Sequence, residues 1–219
     1  MGATLLQLPK RPPRTEANLH DLRFRTLVGA EAWDLLPVEV QRRFSKRLSG
    51  AQVALYRGLV VEMRVSRLGW LLAQLCRLVG APLPLNGKSG GGALVAVSED
   101  SSGGGQNWTR IYARPSGFPQ VIHSAKRFCG PTGLEEYLGG GLGMALRMET
   151  LSDGIAFVSD HYFFQIGPRR TRLPLALTPG VTRVTHRQVA GASFLFGLEV
   201  VHPLAGTLIR QEILFDDVD

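Results

Sequence analysis

Histidines are the side chains of this chain best suited to binding a metal or transferring a proton near neutral pH. The five histidines are His20, His123, His161, His186 and His202. No two of them form an H-x-H or H-x-x-x-H pair, the spacings that bring two imidazoles to one side of a strand or helix. We therefore predict no metal site.

A serine, an aspartate and a histidine are consecutive at Ser159, Asp160 and His161. These are the residue types of a hydrolase triad. The surrounding apolar pattern predicts a strand, in which neighbouring side chains point to opposite faces. Asp160 is therefore not expected to orient His161. The chain also has no G-x-S-x-G nucleophile motif, so the sequence does not favour a hydrolase.

Two glycine-containing segments resemble phosphate-binding loops. Asn86–Ser89 ends like a P-loop, but Pro82 stands where the motif begins with glycine. Gly139–Gly143 lacks the third glycine of a dinucleotide fingerprint, because Met144 or Leu146 takes that place. We predict a flexible loop at residues 86–89 and no cofactor.

Trp108, Arg110, Tyr112 and Arg114 alternate along a predicted strand and share one face. Such a face could stack on nucleic-acid bases or form cation–π pairs on an exposed sheet. It could also line a barrel, where the rings supply apolar wall and an arginine anchors an anionic head group. The arginines are scattered along the chain rather than clustered, which does not favour nucleic acid as a partner.

The predicted strand 155–166 carries large apolar side chains on both faces, with polar residues 159–161 at its middle. Two interpretations fit this pattern. The segment is either a central strand packed on both faces, or a strand that forms the wall of a pocket with a polar centre. Under the pocket interpretation, the predicted ligand-binding residues of the chain are Trp108, Arg110, Tyr112, His161 and Phe163.

Most of these residues fall on predicted strands. Apolar spacing predicts helices in the N-terminal third and a further helix from Leu68 to Val79. Period-two alternation begins at residues 55–65, where Leu55, Leu59 and Val61 share a face, and continues in later strands separated by glycine-rich turns. Residues 133–138 are predicted as a short helix. The predicted fold class is α+β, mainly antiparallel β, with a curved sheet or partial β-barrel of about 8–9 strands.

The composition is that of a globular protein: the chain has 219 residues, 44% of them hydrophobic, and a net charge of +7. We predict a flexible basic arm at residues 1–15 and a single globular domain at residues 16–219. The two cysteines, Cys76 and Cys129, have no metal spacing and suggest a reducing compartment. No apolar run reaches the ~20 residues of a membrane span, and a cytoplasmic location is expected.

Several short motifs, taken in their order along the chain, resemble the DUF4166 family, a bacterial domain of unknown function. They are residues 24–29 and 36–37, Trp108–Arg110, Leu173–Pro179 and His202–Ile209. The resemblance covers nearly everything after the N-terminal arm. It implies an accessory or ligand-binding module, because members of this family are sometimes joined to NAD-binding modules of the saccharopine-dehydrogenase or short-chain type. An aromatic residue is expected where Gln211 stands.

Three functional hypotheses follow. The first is an accessory module that binds an apolar or amphipathic, lipid-like small molecule in a pocket of the curved sheet. The second is an interaction module that docks on an oxidoreductase through an exposed apolar patch. The third is an enzyme that uses His161, His123 or Glu149 as acid or base, which requires these side chains to meet in one cleft.

Overall fold

A computed structural model of the chain describes residues 20–49, 51–78, 80, 82–85 and 89–217. The predicted arm at residues 1–15 and positions 86–88 of the predicted loop lie outside the described residues. The strands are β1 (Val53–Val65), β2 (Gly92–Asp100), β3 (Gly105–Tyr112), β4 (Gln120–Arg127), β5 (Glu135–Gly139), β6 (Leu142–Leu151), β7 (Gly154–Ile166), β8 (Arg169–Arg172), β9 (Val181–Ala190), β10 (Ser193–His202) and β11 (Gly206–Asp217).

The strands form a closed antiparallel barrel. The order of hydrogen-bonded neighbours is β6-β5-β4-β3-β2-β1-β11-β10-β9-β7, and pairing of β6 with β7 closes the ring. The remaining strand, β8, pairs with the second half of β7, whereas β9 pairs with the first half. The predicted class is confirmed. The described strands number 11, more than the predicted 8–9, because β5 replaces the predicted helix and β8 was missed.

Three short helices plug one end of the barrel. They are α1 (Arg23–Val28), α2 (Ala30–Asp34) and α3 (Val38–Phe44), and they confirm the prediction of helices in the N-terminal third. The fully buried ring of Phe24 lies 5.3 Å from that of Phe44, 4.8 Å from that of Phe128 and 6.1 Å from that of Phe157. Phe157 belongs to β7 and points into the barrel. The plug therefore shares one continuous apolar core with the strands.

A fourth helix, α4 (Arg67–Leu78), lies across the opposite end of the barrel and confirms the helix predicted from Leu68. Its buried residues are Gly69 and Ala73, which lets it pack closely against β11. A Cβ atom on Gly69 would overlap the carbonyl oxygen of Leu208. Among the described residues, no helix has the length and apolarity needed to cross a membrane.

Replacing Gly69 by alanine tests this close approach. Replacing glycine by alanine within a helix normally raises the free energy of unfolding by about 0.5–1 kcal/mol. Here the overlap with the backbone of Leu208 must displace α4, so we expect the free energy of unfolding to fall by about 1–3 kcal/mol. Urea denaturation measures the change, and Gln74→Ala on the same helix is the control. A gain in stability with Gly69→Ala would contradict the packing of α4.

Candidate ligand-binding cavity

The barrel encloses a cavity of about 160 Å³ between its plugged end and α4. Its apolar wall includes Ile122, Leu142, Met144, Val184, Leu198 and Val200. Leu72 and Cys76 on the inner side of α4, with Leu173 and Pro179 before β9, line it at the α4 end of the barrel. A cavity of about 150 Å³ can hold a benzene-sized molecule. The space therefore suits a compact apolar group.

One charged network interrupts the apolar wall. Arg110 donates through Nη1 to Ser124 Oγ at 2.9 Å, and Ser124 donates to Glu136 Oε1 at 2.7 Å. Arg110 Nη2 lies 3.3 Å from the same carboxylate oxygen. Lys126 Nζ donates to Glu136 Oε2 at 2.9 Å. Two cations thus share one carboxylate within the barrel.

Glu136 and Lys126 are both almost inaccessible to solvent, with side chains 4% and 1% exposed. Burial opposes ionisation of Glu136, but the attraction of Lys126 and Arg110 and the hydrogen bonds from Ser124 and Lys126 outweigh it and lower its pKa to about 2. Burial also lowers the pKa of Lys126, partly offset by Glu136. The ammonium of Lys126 gains further support from the Trp108 ring, whose centroid lies 4.6 Å away.

A second group of buried polar side chains lies deeper, toward the plug. Arg43, Trp108 and His186 surround a void of about 10 Å³. Burial, and then the charges of Arg43, Lys126 and Arg110, hold the pKa of His186 well below its usual value. Burial is the larger cause, and the neighbouring cations add to it, so both effects favour the neutral form of His186.

Of the predicted ligand-binding residues, Arg110 and Tyr112 line the cavity. Trp108 is on the same inward face of β3 but borders the smaller void. The Tyr112 hydroxyl donates to Gln211 Oε1 at 3.4 Å, and Gln211 is fully buried. The polar residue at position 211, where an aromatic was expected, is thus part of the barrel interior.

His161 and Phe163 lie on the outer side of the wall. Phe163 is fully buried beneath Arg170, whose guanidinium carbon lies 3.5 Å from the ring centroid. His161 borders a separate outer pocket of about 340 Å³. Strict alternation along residues 155–166 would place Phe157 and Phe163 on one face of the strand, but Phe157 points inward and Phe163 outward. A change of register within β7 explains the difference.

That register change is a β-bulge opposite β6. Ala145 pairs with His161, whereas the next residue, Leu146, pairs with Ser159, so Asp160 is the extra residue. A bulge reverses the alternation of faces beyond it. It also brings neighbouring side chains together: Asp160 Oδ2 lies 2.7 Å from His161 Nδ1. The prediction that Asp160 could not orient His161 is therefore wrong.

The three candidate acid–base residues are distributed over different surfaces of the barrel. His161 borders the outer pocket, His123 borders both the cavity and a groove beside β3 and β4, and Glu149 pairs with Arg183 at 2.8 Å. No pocket found in the described part of the chain is lined by two of them. That part also contains no group of three or more His, Cys, Asp or Glu side chains able to hold a metal ion.

Residues that sequence reasoning missed complete the interior network. Glu136, Lys126 and Ser124 gave no local signal, because a lone acidic, basic or hydroxyl residue on a strand is ordinarily solvated. Their common inward orientation is visible only when β4 and β5 are paired. With that pairing known, the alternation along β4 would have identified Ser124 and Lys126 as neighbours on one face.

Comparison with known proteins gives one result that covers most of the chain. No curated protein and no solved structure matches it significantly. A sequence model described as "Domain of unknown function (DUF4166)" matches residues 36–215. This span contains every strand of the barrel together with α3 and α4 and the residues of the interior network, apart from the last positions of β11. The chain therefore belongs to the DUF4166 family.

Proposed function

We propose that this domain binds a compact, amphipathic small molecule with an anionic group inside the barrel. The observation that carries the proposal is the cavity of about 160 Å³ inside the barrel, whose mainly apolar wall holds the guanidinium of Arg110. Ligand sites in proteins are commonly apolar with a few placed polar groups that fix orientation. The cavity has this composition.

Charge balance favours an anionic ligand. Arg110 and Lys126 together carry two positive charges, and Glu136 is their shared anionic partner. A net charge in an apolar interior is costly unless a counter-charge accompanies it. A carboxylate or similar group beside Arg110 would offset the surplus positive charge, while the rest of the ligand fills the apolar space.

Cavity size limits the apolar part of the ligand to roughly one six-membered ring or a short alkyl chain. Benzoate, benzamide and benzamidine are suitable probes because they share one shape but carry negative, zero and positive charge. The three compounds separate the contribution of charge from that of apolar fit.

We expect benzoate to bind at least about tenfold more tightly than benzamide, and benzamidine to bind least, because of the positive potential at Arg110. Titration followed by amide chemical shifts of the labelled protein measures the affinities and locates the shifts. Native mass spectrometry and solvent extraction of the purified protein show in addition whether a carboxylic acid co-purifies.

Two variants make the assignment specific. Arg110→Gln keeps hydrogen-bonding capacity but removes the charge, so benzoate should then bind no better than benzamide. Arg57→Gln changes an exposed arginine on β1 in the same way and should leave all affinities unchanged. Leu198→Phe, which fills the cavity, should abolish binding of all probes. If none of the probes binds the folded wild-type protein, a compact-ligand site in the barrel is ruled out.

A further inference from the structure

Helix α4 turns most of its large apolar residues outward. The side turned to the barrel carries Gly69, Leu72, Ala73 and Cys76, of which only Leu72 is a large apolar residue. The large exposed side chains are Leu68 at 57%, Trp70 at 55%, Leu71 at 50%, Leu75 at 54% and Leu78 at 83%. A surface helix of a globular protein normally shows the reverse arrangement. The outer side of α4 is therefore an apolar face without a partner within the described structure.

Three loop tips extend this face. Phe118, between β3 and β4, is 90% exposed and borders the same groove as Arg77 of α4. Leu177, before β9, is 74% exposed and its segment closes the same cavity as α4. Leu204, in the turn from β10 to β11, is 93% exposed. We call the outer side of α4 and these three tips the lid surface.

The connecting segments around the lid surface carry positive charges only. At this end the strands are joined by residues 66–91, 113–119, 140–141 and 203–205, and by residues 167–180, which include β8; none of these segments contains Asp or Glu. Their arginines are Arg67, Arg77, Arg114, Arg169, Arg170 and Arg172. Arg170 pairs with Glu135 on the barrel wall. Acidic strand-end residues such as Asp100, Asp153 and Asp217 belong to the opposite end.

We propose that the lid surface docks on an anionic lipid bilayer, with α4 lying in the plane of the interface. Leucines and a tryptophan projecting among arginines are the composition of an interfacial helix. The apolar side chains would enter the boundary of the acyl chains, and the arginines would contact lipid phosphates. This proposal concerns the outside of α4 and is independent of whether the cavity binds a ligand.

Trp70 provides a direct reporter of docking. The chain has three tryptophans, and Trp33 and Trp108 are only 3% and 7% exposed, so a change in solvation is expected at Trp70. Vesicles of phosphatidylcholine with about one third phosphatidylglycerol should shift the tryptophan emission to shorter wavelength and co-sediment the protein. Pure phosphatidylcholine vesicles should do so far less, and ~1 M salt should release the protein.

The variant Leu75→Ser/Leu78→Ser should weaken partitioning to the anionic vesicles on the order of tenfold or more. Its matched control is Leu59→Ser/Val61→Ser, which removes side chains that are 51% and 50% exposed on the outer side of β1 and should leave partitioning unchanged. Circular dichroism checks that both variants are folded. Arg110→Gln, if folded, should still bind the vesicles, because Arg110 lies inside the barrel and not on the lid surface.

Three results would overturn the proposal. The first is no emission shift or co-sedimentation with anionic vesicles. The second is equal binding to neutral and anionic vesicles, since it would remove the role of the arginines. The third is a dimer, detected by size-exclusion chromatography with light scattering, that Leu75→Ser/Leu78→Ser converts to monomer, since a second copy would then be the occupant of the lid surface.

Discussion

Replacing Glu136 by glutamine is expected to lower the free energy of unfolding by about 3–5 kcal/mol, the cost of breaking a buried ion pair from one side. The substitution leaves Lys126 and Arg110 in the barrel without their shared anion. Urea denaturation at neutral pH measures the loss. Since a domain of this size has only about 5–15 kcal/mol of stability, the effect should be conspicuous.

Glu149→Gln is the matched control, because Glu149 also pairs with an arginine but its side chain is 49% exposed. Solvent-exposed pairs contribute about 1 kcal/mol or less. Similar losses in the two variants would show that Glu136 is not held in a buried network, and would remove the charge argument for an anionic ligand.

The same carboxylate predicts how stability depends on pH. Its pKa is lowered from the usual 4.5 to about 2 in the folded protein. The contribution of Glu136 is therefore fully present above pH 4.5 and is lost as the pH falls toward 2. The size of the loss is roughly 3 kcal/mol. The variant Glu136→Gln should lack this component when unfolding is measured across the same pH range.

Replacing Phe24 by alanine should lower the free energy of unfolding by about 3–5 kcal/mol, as expected for a fully buried aromatic ring. Its ring packs against Phe44, Phe128 and Phe157, so the cavity left behind would lie between the plug and the barrel. Thermal and urea denaturation both measure the change. The barrel should unfold together with the plug in one transition.

Phe118→Ala is the control, because the ring of Phe118 is 90% exposed. The free energy of unfolding of this variant should stay within about 0.5 kcal/mol of the wild type. Phe24 precedes residues 36–215, the span matched by the family. A loss of less than about 1 kcal/mol with Phe24→Ala would mean that α1 is an appendage of the barrel rather than part of its core.

Local patterns were sufficient to predict several elements. Pro37 directly precedes α3, as is typical of a helix start, and the apolar spacing after Leu68 predicted α4. Helical spacing and terminating residues are properties of neighbouring positions. Alternation on β3 correctly placed Arg110 and Tyr112 on one face. It could not show that this face is the inside of a closed barrel, which depends on the pairing of β6 with β7.

Other elements exist only because of their partners. The segment Glu135–Gly139 has no clear alternation and was predicted as helix, yet it is a strand because β4 and β6 pair with it on either side. The very polar β8 is a strand because the second half of β7 has a free edge there. Tertiary hydrogen bonding outweighs local propensity in both cases.

The sequence by itself determined the mainly antiparallel β class, the helical N-terminal third, α4 and the shared face of Trp108, Arg110 and Tyr112. These features follow from spacings of two to four residues. The tertiary structure decided which faces point inward: on β1 the apolar face with Leu55 and Leu59 is outside, and Tyr56 is inside. The tertiary structure also brought Glu136 together with Lys126 and Arg110. The extra residue in β7 turned Phe163 outward. Barrel closure and strand register depend on residues distant in the chain, and a shift of one residue reverses every face beyond it.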